Sequence, residues 1–248
     1  MAGAKVLARG VAADEAIAAE RGFFRIGAIS IIVGTLIGLV AASFHGGSHP
    51  SDLEAALPEY AANKYWELVH LSQFLGDLLV LFGFIALYRS MTEAASASFA
   101  RLGVVVVIVA EAVYACNQAL DGIAIKFVAQ AWVSAPLAEK ADALRLADAV
   151  RHIEIGTSSL WVLNHAIALM LFSVAILLGQ SYPRFLGWAG IVIAVGLIAG
   201  ALDLALNGFA FTGILGFAGI VASSLSGLWI LVIAFYLWRK SAVVATGL

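Results

Sequence analysis

Six long runs of apolar residues constrain this chain more than any other feature of its sequence. Each run covers about 20 residues, the length of α-helix that crosses a hydrocarbon core of about 30 Å. Backbone polar groups inside lipid must bond within their own segment, which an α-helix achieves. The sequence therefore predicts an all-α fold, a polytopic membrane helix bundle. Its six transmembrane helices are expected at about 26–44, 66–88, 102–122, 157–179, 185–207 and 213–238.

Composition supports a membrane setting and narrows the expected partners. Hydrophobic residues make up 62% of the chain and charged residues 12%, whereas soluble domains carry about 25% charged residues. The net charge of -2, without a basic run, argues against a nucleic-acid partner. Cys116 is the single cysteine, so the chain cannot form an internal disulfide or a CxxC metal motif. The expected partner is the lipid bilayer.

The distribution of Lys and Arg predicts the orientation, because cytoplasmic loops carry more of both residues. With the N-terminus inside, nine of the 14 cations lie on the cytoplasmic side. The bundle is therefore predicted to be N-in/C-in. Three parts are expected: a cytoplasmic segment at 1–25, the transmembrane domain at 26–240 and a cytoplasmic tail at 241–248.

The outer connection between the third and fourth spans is long enough for structure of its own. Within 136–153, apolar residues recur at helical spacing and charged residues occupy the other face. This pattern predicts an amphipathic outer-face helix between helices 3 and 4, on the membrane surface or over the mouth of the bundle.

Polar and titratable side chains concentrate in the outer half of the predicted spans. Such residues are costly in lipid, so each is a hypothesis for function. The inner parts of the second to fifth spans contain no titratable side chain over the ranges 80–87, 103–110, 166–178 and 186–199. This asymmetry predicts an outward-facing polar pocket above an apolar plug. The predicted pocket residues are His70, Gln73, Asp77, Glu111, Tyr114, Gln118, Asp121, Asn164, His165 and Asp203.

Histidines suggest a metal site, with His45, His49, His70 and His165 as the candidate ligands. His45 and His49 share one loop, and His70 and His165 lie in the same half of the bilayer by the predicted topology. Zinc or copper would suit such ligands, and a haem held between helices is the second hypothesis. The alternative is that the loop histidines have no metal role and the helical histidines bond neighbouring helices.

Carboxylates add two further hypotheses. Asp77 and Glu111 are predicted to lie at one depth near the middle of the membrane, where they could share a proton or each pair with a polar neighbour. Asp121 and Asp203 lie near the outer interface and are expected to form a solvated rim. Lys126 is expected to pair with one of these two aspartates.

Four segments carry a resemblance to a known family. They are HPSDLEAALPEYAANKYWELVHLSQFLG, DGIAIK, AVRHIEIG and YPRFLGW. Over most of its length the chain resembles an uncharacterised family of small six-helix membrane proteins of high-GC bacteria. The resemblance implies a bacterial cytoplasmic membrane location and no particular activity or site residue.

Three functional classes fit these patterns. The first is a membrane protein whose outward pocket binds a small ligand or a metal. The second is a proton- or ion-coupled transporter that uses Asp77 and Glu111. The third is an intramembrane enzyme dependent on a metal or haem. A homo-oligomer, or a role as an accessory subunit of a larger membrane complex, is compatible with each class.

Overall fold

The chain folds into α-helices joined by short connections. The structure is a computed structural model that describes residues 2–47 and 49–243, with side chains described for 15–47 and 49–242. Most of the predicted tail at 241–248 lies outside the described residues. The α-helices are α1 Ala2–Ala42, α2 Leu53–Ala62, α3 Trp66–Arg89, α4 Ala94–Gln118, α5 Ile125–Ser134, α6 Lys140–Leu178, α7 Arg184–Asn207 and α8 Gly213–Val243. A π-helical segment, Ala119–Ala124, joins α4 to α5 without a break.

The predicted all-α bundle with six membrane-crossing helices is confirmed. Six stretches are long and apolar enough to cross a membrane: Glu15–Ala42, Trp66–Arg89, Ala94–Ser134, Leu137–Leu178, Arg184–Ala210 and Gly213–Ala242. Many large apolar side chains on these helices face outward, including Leu39, Val192 and Leu206. In a bilayer such side chains contact lipid, so the chain has the form of a multi-pass membrane protein. The N-in/C-in orientation remains a prediction.

Two of the crossing helices are much longer than the membrane is thick. Ala94–Ser134 and Leu137–Leu178 contain 41 and 42 residues, which corresponds to about 60 Å of helix against a hydrocarbon core of about 30 Å. The predicted amphipathic segment at 136–153 is helical from Leu137 onward. It continues directly into the fourth span, so it extends this span beyond the bundle instead of lying flat.

The extended helices form a small layer over one end of the bundle, which we call the cap. The cap consists of α2, α5 and residues 140–153 of α6. Its apolar centre contains Leu57, Tyr60, Ile125 and Ala147, together with Trp66 at the start of α3. The cap thus has a core separate from that of the bundle. The predicted orientation puts the cap on the extracytoplasmic side.

Below the cap, the six long helices form a ring in the order α1, α3, α4, α6, α7, α8 and back to α1. Small residues allow close contact at two seams of this ring. Gly34 of α1 meets the backbone of Gly76 in α3, and Gly200 of α7 meets Gly219 in α8. Such small-residue contacts are a main source of helix association in lipid. Toward Arg89, the interior is closed by a large cluster of buried apolar side chains.

Lys126 fastens α2 to the rest of the cap. Its Nζ donates hydrogen bonds to the carbonyl oxygens of Tyr60 (2.8 Å), Ala61 (3.1 Å) and Asn63 (2.6 Å). The expectation that Lys126 pairs with an aspartate is therefore wrong. The carboxyl end of a helix carries partial negative charge and unpaired carbonyl groups, and these attract the buried ammonium group.

We expect Lys126→Met to loosen the cap. The substitution removes the ammonium group that donates to three carbonyl oxygens at the end of α2. Because hydrogen bonds to charged groups contribute about 1.5–3 kcal/mol each and are not additive, the predicted loss of cap stability is about 2–4 kcal/mol. Hydrogen exchange of the α2 amides measures this loss. Lys64→Met is the matched control, because Lys64 is exposed. Equal protection of α2 in both variants would contradict this role.

Candidate functional site

His70 and Asp121 meet where the bundle joins the cap. His70 lies one turn into α3 and is 1% exposed, and Asp121 lies in the π-helical segment. The distance from His70 Nε2 to Asp121 Oδ2 is 3.0 Å. The other ring nitrogen, Nδ1, lies 2.7 Å from the carbonyl oxygen of Trp66. Both nitrogens of His70 therefore face oxygen atoms that accept hydrogen bonds.

The π-helical segment explains why Asp121 points at His70. π-Helical turns leave backbone groups without their usual partners and often occur at functional sites. Here the carbonyl oxygen of Asp121 accepts a hydrogen bond from the Trp66 indole nitrogen at 2.8 Å. Gly122, the next residue, lies against the His70 side chain, where a Cβ atom would overlap that of His70. A glycine and an indole donor thus fix the approach of α3 to this segment.

His45 completes a three-residue cluster with His70 and Asp121. It follows α1 in the loop before α2, and its Nε2 is 3.7 Å from Asp121 Oδ2. The rings of His45 and His70 are 5.0 Å apart. One ligand atom from each of the three residues lies within 4.8 Å of the others. We call these three residues the His–His–Asp cluster.

The loop that carries His45 is held against α2. The Glu59 carboxylate accepts a hydrogen bond from the Gly47 amide at 2.6 Å. Asn63 donates from its side chain to the Phe44 carbonyl oxygen at 3.2 Å. Gly46 has a φ of 106°, in the left-handed region that favours glycine. These contacts bring His45 back over the end of the bundle.

Arg151 and Glu154 of α6 form a buried ion pair beside the cluster. Arg151 Nη1 lies 2.7 and 2.6 Å from the two carboxylate oxygens of Glu154 and 3.7 Å from Asp121 Oδ1. The guanidinium group also contacts the rings of Tyr60 (5.4 Å) and Phe209 (5.6 Å). Two carboxylates, the half-buried one of Asp121 and the buried one of Glu154, thus flank the guanidinium group of Arg151.

Tyr60 remains a neutral phenol in this environment. Burial raises the pKa of Tyr60 to about 12, and the positive charge of Arg151 only partly opposes this effect. The Tyr60 hydroxyl group is therefore protonated at neutral pH, and it adds no negative charge next to Asp121 and Glu154.

A chamber of about 490 Å³ lies next to these residues, and we call it the cap-end chamber. Its volume falls within the roughly 300–1,000 Å³ of small-molecule sites. The lining combines polar side chains with an apolar wall from α7, α8 and the turn between them. The polar part includes His45, Asp121, Arg151, Glu154 and Ser158; the apolar wall includes Leu204, Phe209, Phe211 and Ile220.

A second chamber of about 340 Å³ lies deeper in the bundle, and we call it the midplane chamber. It adjoins the cap-end chamber at Tyr114 and Trp161, which line both and stack with ring centroids 4.3 Å apart. Within the described part of the chain, Trp161 Nε1 and His165 Nδ1 are buried without a hydrogen-bond partner. Gly38 of α1 and Gly227 of α8 line this chamber with open space at their Cβ positions.

The predicted pocket residues divide between these places. Tyr114, Gln118 and Asp121 line the cap-end chamber. Gln73, Asp77 and His165 line the midplane chamber, and Glu111 is buried in α4. Asn164 donates to the Leu160 carbonyl oxygen of its own helix.

Of the four predicted metal ligands, the structure brings His45 and His70 together. His49 lies in the loop with its Nδ1 2.7 Å from the Ser51 hydroxyl oxygen. His165 packs edge-on against Phe84, with centroids 5.9 Å apart. Because α6 runs unbroken through the cap, the residue level with Asp121 is Arg151. His165 lies fourteen residues farther along, or about 21 Å.

Asp203 stabilises a turn and does not line either chamber. Its carboxylate accepts hydrogen bonds from the Asn207 side chain (2.8 Å), the Thr212 amide (3.1 Å) and the Thr212 hydroxyl group (3.2 Å). This turn joins α7 to α8 and contains Phe211 at a φ of 48°. Asp203 therefore shapes the apolar wall of the cap-end chamber from behind.

Arg151, Glu154 and Tyr60 are site residues that the sequence-based prediction does not include. The sequence pattern puts Arg151 on the charged face of the amphipathic segment at 136–153. The signal was the spacing of Arg151, Glu154, Ser158 and Trp161, which continues one helix face from the amphipathic segment into the fourth span. A single helix across this boundary would have brought the ion pair to the mouth of the bundle.

Comparisons with known proteins give no relative for this arrangement. No protein-family model, no curated protein and no solved structure matches the chain. Its function must be argued from the residues themselves.

We expect Gly122→Ala to disrupt the His–His–Asp cluster. A methyl group at this position overlaps the His70 side chain, so the π-helical segment must move away from α3. Overpacking of this kind costs about 1–3 kcal/mol. Thermal unfolding measures the loss, and NMR of ¹⁵N-labelled histidine reports the environment of the His70 ring.

Gly156→Ala is the matched control. Gly156 lies in α6 with open space at its Cβ position, and alanine stabilises a helix interior by about 0.5–1 kcal/mol over glycine. If Gly122→Ala were as stable as this control and left the His70 signals unchanged, close contact at Gly122 would not position the cluster.

Proposed function

We propose that this membrane protein binds a divalent transition-metal ion through His45, His70 and Asp121. The observation that carries this proposal is the environment of His70. The Trp66 carbonyl oxygen can only accept, so Nδ1 holds the proton of a neutral His70. Its Nε2 then directs a lone pair at the Asp121 carboxylate, 3.0 Å away. A cation between these two atoms removes the repulsion.

The ligand set and its surroundings support a transition metal. Two imidazole nitrogens and one carboxylate oxygen are ligands that zinc and its neighbours in the first row accept. Metal–ligand distances of about 2.0–2.2 Å place the ligand atoms of one ion within about 4.4 Å of one another. The cluster spans 4.8 Å, and the loop carrying His45 needs only a small movement.

The hydrogen bond from His70 to the Trp66 carbonyl oxygen has a recognised role in metal sites. A ligating histidine usually donates its second N–H to an oxygen, which fixes the tautomer and makes the ligating nitrogen more basic. Trp66 is itself held by the Asp121 carbonyl oxygen. Three protein ligands leave a coordination position for water or a small molecule, next to the cap-end chamber.

The main alternative for the cluster is an ion pair without metal, in which a doubly protonated His70 donates to both oxygens. Such an ion pair needs no other cation and should not bind a metal. Metal titration therefore distinguishes the metal site from the ion pair. Haem is less compatible with the geometry, because His70 Nε2 faces a carboxylate and His165 lines a different chamber. Ion-coupled transport through Asp77 and Glu111 would require a polar path through the apolar cluster near Arg89.

We expect the purified protein to bind one divalent ion and His70→Ala to abolish this binding. Loss of a supporting contact lowers metal affinity by about 10–100-fold, and loss of a ligand has a larger effect. Isothermal titration calorimetry with Zn²⁺ measures affinity and stoichiometry. The absorption spectrum with Co²⁺ reports nitrogen ligation. The protein should carry no polyhistidine tag.

His152→Ala is the matched control. His152 lies 3.5 Å from Asp148 in an exposed pair on α6, so a surface His–Asp pair is tested alongside the buried one. Affinity in this variant should equal that of the wild type. The absence of a saturable site in the wild type, or equal losses in both variants, would refute the proposal and favour the ion pair.

A further inference from the structure

Arg151 has hydrogen-bond donors that its neighbours do not use. It is 5% exposed and lines the cap-end chamber. Its Nη1 serves Glu154, whereas Nε and Nη2 donate to no acceptor in the described ranges 2–47 and 49–243. A buried polar group without a partner is costly, and a charged one more so. Such a group indicates a ligand.

The unused donors form one edge of the guanidinium plane. Nε and Nη2 point in parallel directions, and this edge matches the two oxygens of a carboxylate or phosphate group. Nη1 is hydrogen-bonded to Glu154, and the rings of Tyr60 and Phe209 contact the guanidinium group. The edge thus belongs to a side chain that is already held in place, which lowers the entropic cost of binding.

The chamber around Arg151 also has an apolar wall. Leu204, Phe209, Phe211 and Ile220 line it on the side of α7 and α8. A volume of about 490 Å³ accommodates a body of drug-like size. A ligand that uses both features carries one anionic group and a compact apolar part.

We propose that the cap-end chamber binds a small anionic molecule, whose carboxylate or phosphate group pairs with Nε and Nη2 of Arg151 and whose apolar body lies against Phe209, Phe211 and Ile220. This inference goes beyond the proposed metal site and does not depend on it. The two sites are neighbours, since Arg151 Nη1 is 3.7 Å from Asp121 Oδ1.

The test uses the full-length protein in phosphatidylcholine nanodiscs with a chelator present, so that failure of the metal site does not affect it. Calorimetric titrations compare 4-phenylbutyrate, 4-phenylbutyl phosphate and the uncharged 4-phenylbutanol, with empty nanodiscs as the blank. We expect saturable one-to-one binding of at least one anion. The alcohol should bind about tenfold or more weakly. The two anions together determine whether the head group is a carboxylate or a phosphate.

Variants assign the binding to Arg151. Arg151→Gln should weaken anion binding by about tenfold or more. Arg145→Gln should leave it unchanged, because Arg145 is an exposed arginine of the same helix paired with Asp142. If Arg151→Gln fails to fold, the double variant Arg151→Gln with Glu154→Gln keeps the charge balance and should also fail to bind.

Three results would overturn the proposal. The first is the absence of saturable binding of either anion to the wild type. The second is equal affinity for the alcohol, which would mean an apolar cavity without an anion site. The third is unchanged affinity in a folded variant that lacks Arg151.

Discussion

The junction between bundle and cap depends on Asp121. Its backbone carbonyl oxygen accepts the Trp66 indole proton, and its carboxylate faces His70, His45 and Arg151. One residue therefore connects α3, the loop after α1, the π-helical segment and α6. The arrangement exists because the π-helical segment directs both the carbonyl and the carboxylate group of Asp121 at partners on other elements.

Charge balance makes this junction tolerable near the edge of a bilayer. An isolated buried charge in a low dielectric is costly, and removal of one partner leaves the other uncompensated. Here Arg151 lies between Asp121 and Glu154, and Tyr60 stays neutral. With His70 also neutral, one negative charge is left for the proposed cation. The proposed metal ion and the proposed anion would enter this balance as a further positive and a further negative charge. A position that binds a cation, next to a position that binds an anion, can hold one ligand at two points.

Two sequence features predict much of the fold. The six apolar runs dictate six helices, and the short links between them make consecutive helices antiparallel. The amphipathic pattern at 136–153 correctly indicated a helix. The depth of each side chain in the bundle is harder to predict. Counting residues from an assumed start of the fourth span puts His165 near His70. The unbroken α6 instead brings Arg151 to that level. The rotation of each helix about its axis also cannot be read from a single sequence. The sequence therefore places Asp203 in the pocket, whereas in the structure it bonds the turn before α8.

The behaviour of Lys126 shows a second limit. Its charge suggested an acidic partner, but backbone carbonyl groups at the end of α2 satisfy it, and no residue pattern reports where such a helix end will lie. His45 illustrates the same difficulty, because its position depends on a loop anchored by Glu59 and Asn63. Hydrogen bonds between side chains and backbone groups, rather than pairs of side chains, decide both cases.

The π-helical segment also sets the angular register of everything that follows it. A π turn accommodates one residue more than an α turn, and one residue corresponds to a rotation of about 100°. If a residue were deleted from Ala119–Ala124 and ordinary α-helix resumed, α5 would turn by that angle relative to α4. Lys126 would then leave the end of α2, and a different side of α5 would meet the cap core. The extra residue therefore allows α4 to pack in the bundle and α5 to pack in the cap within one continuous helix.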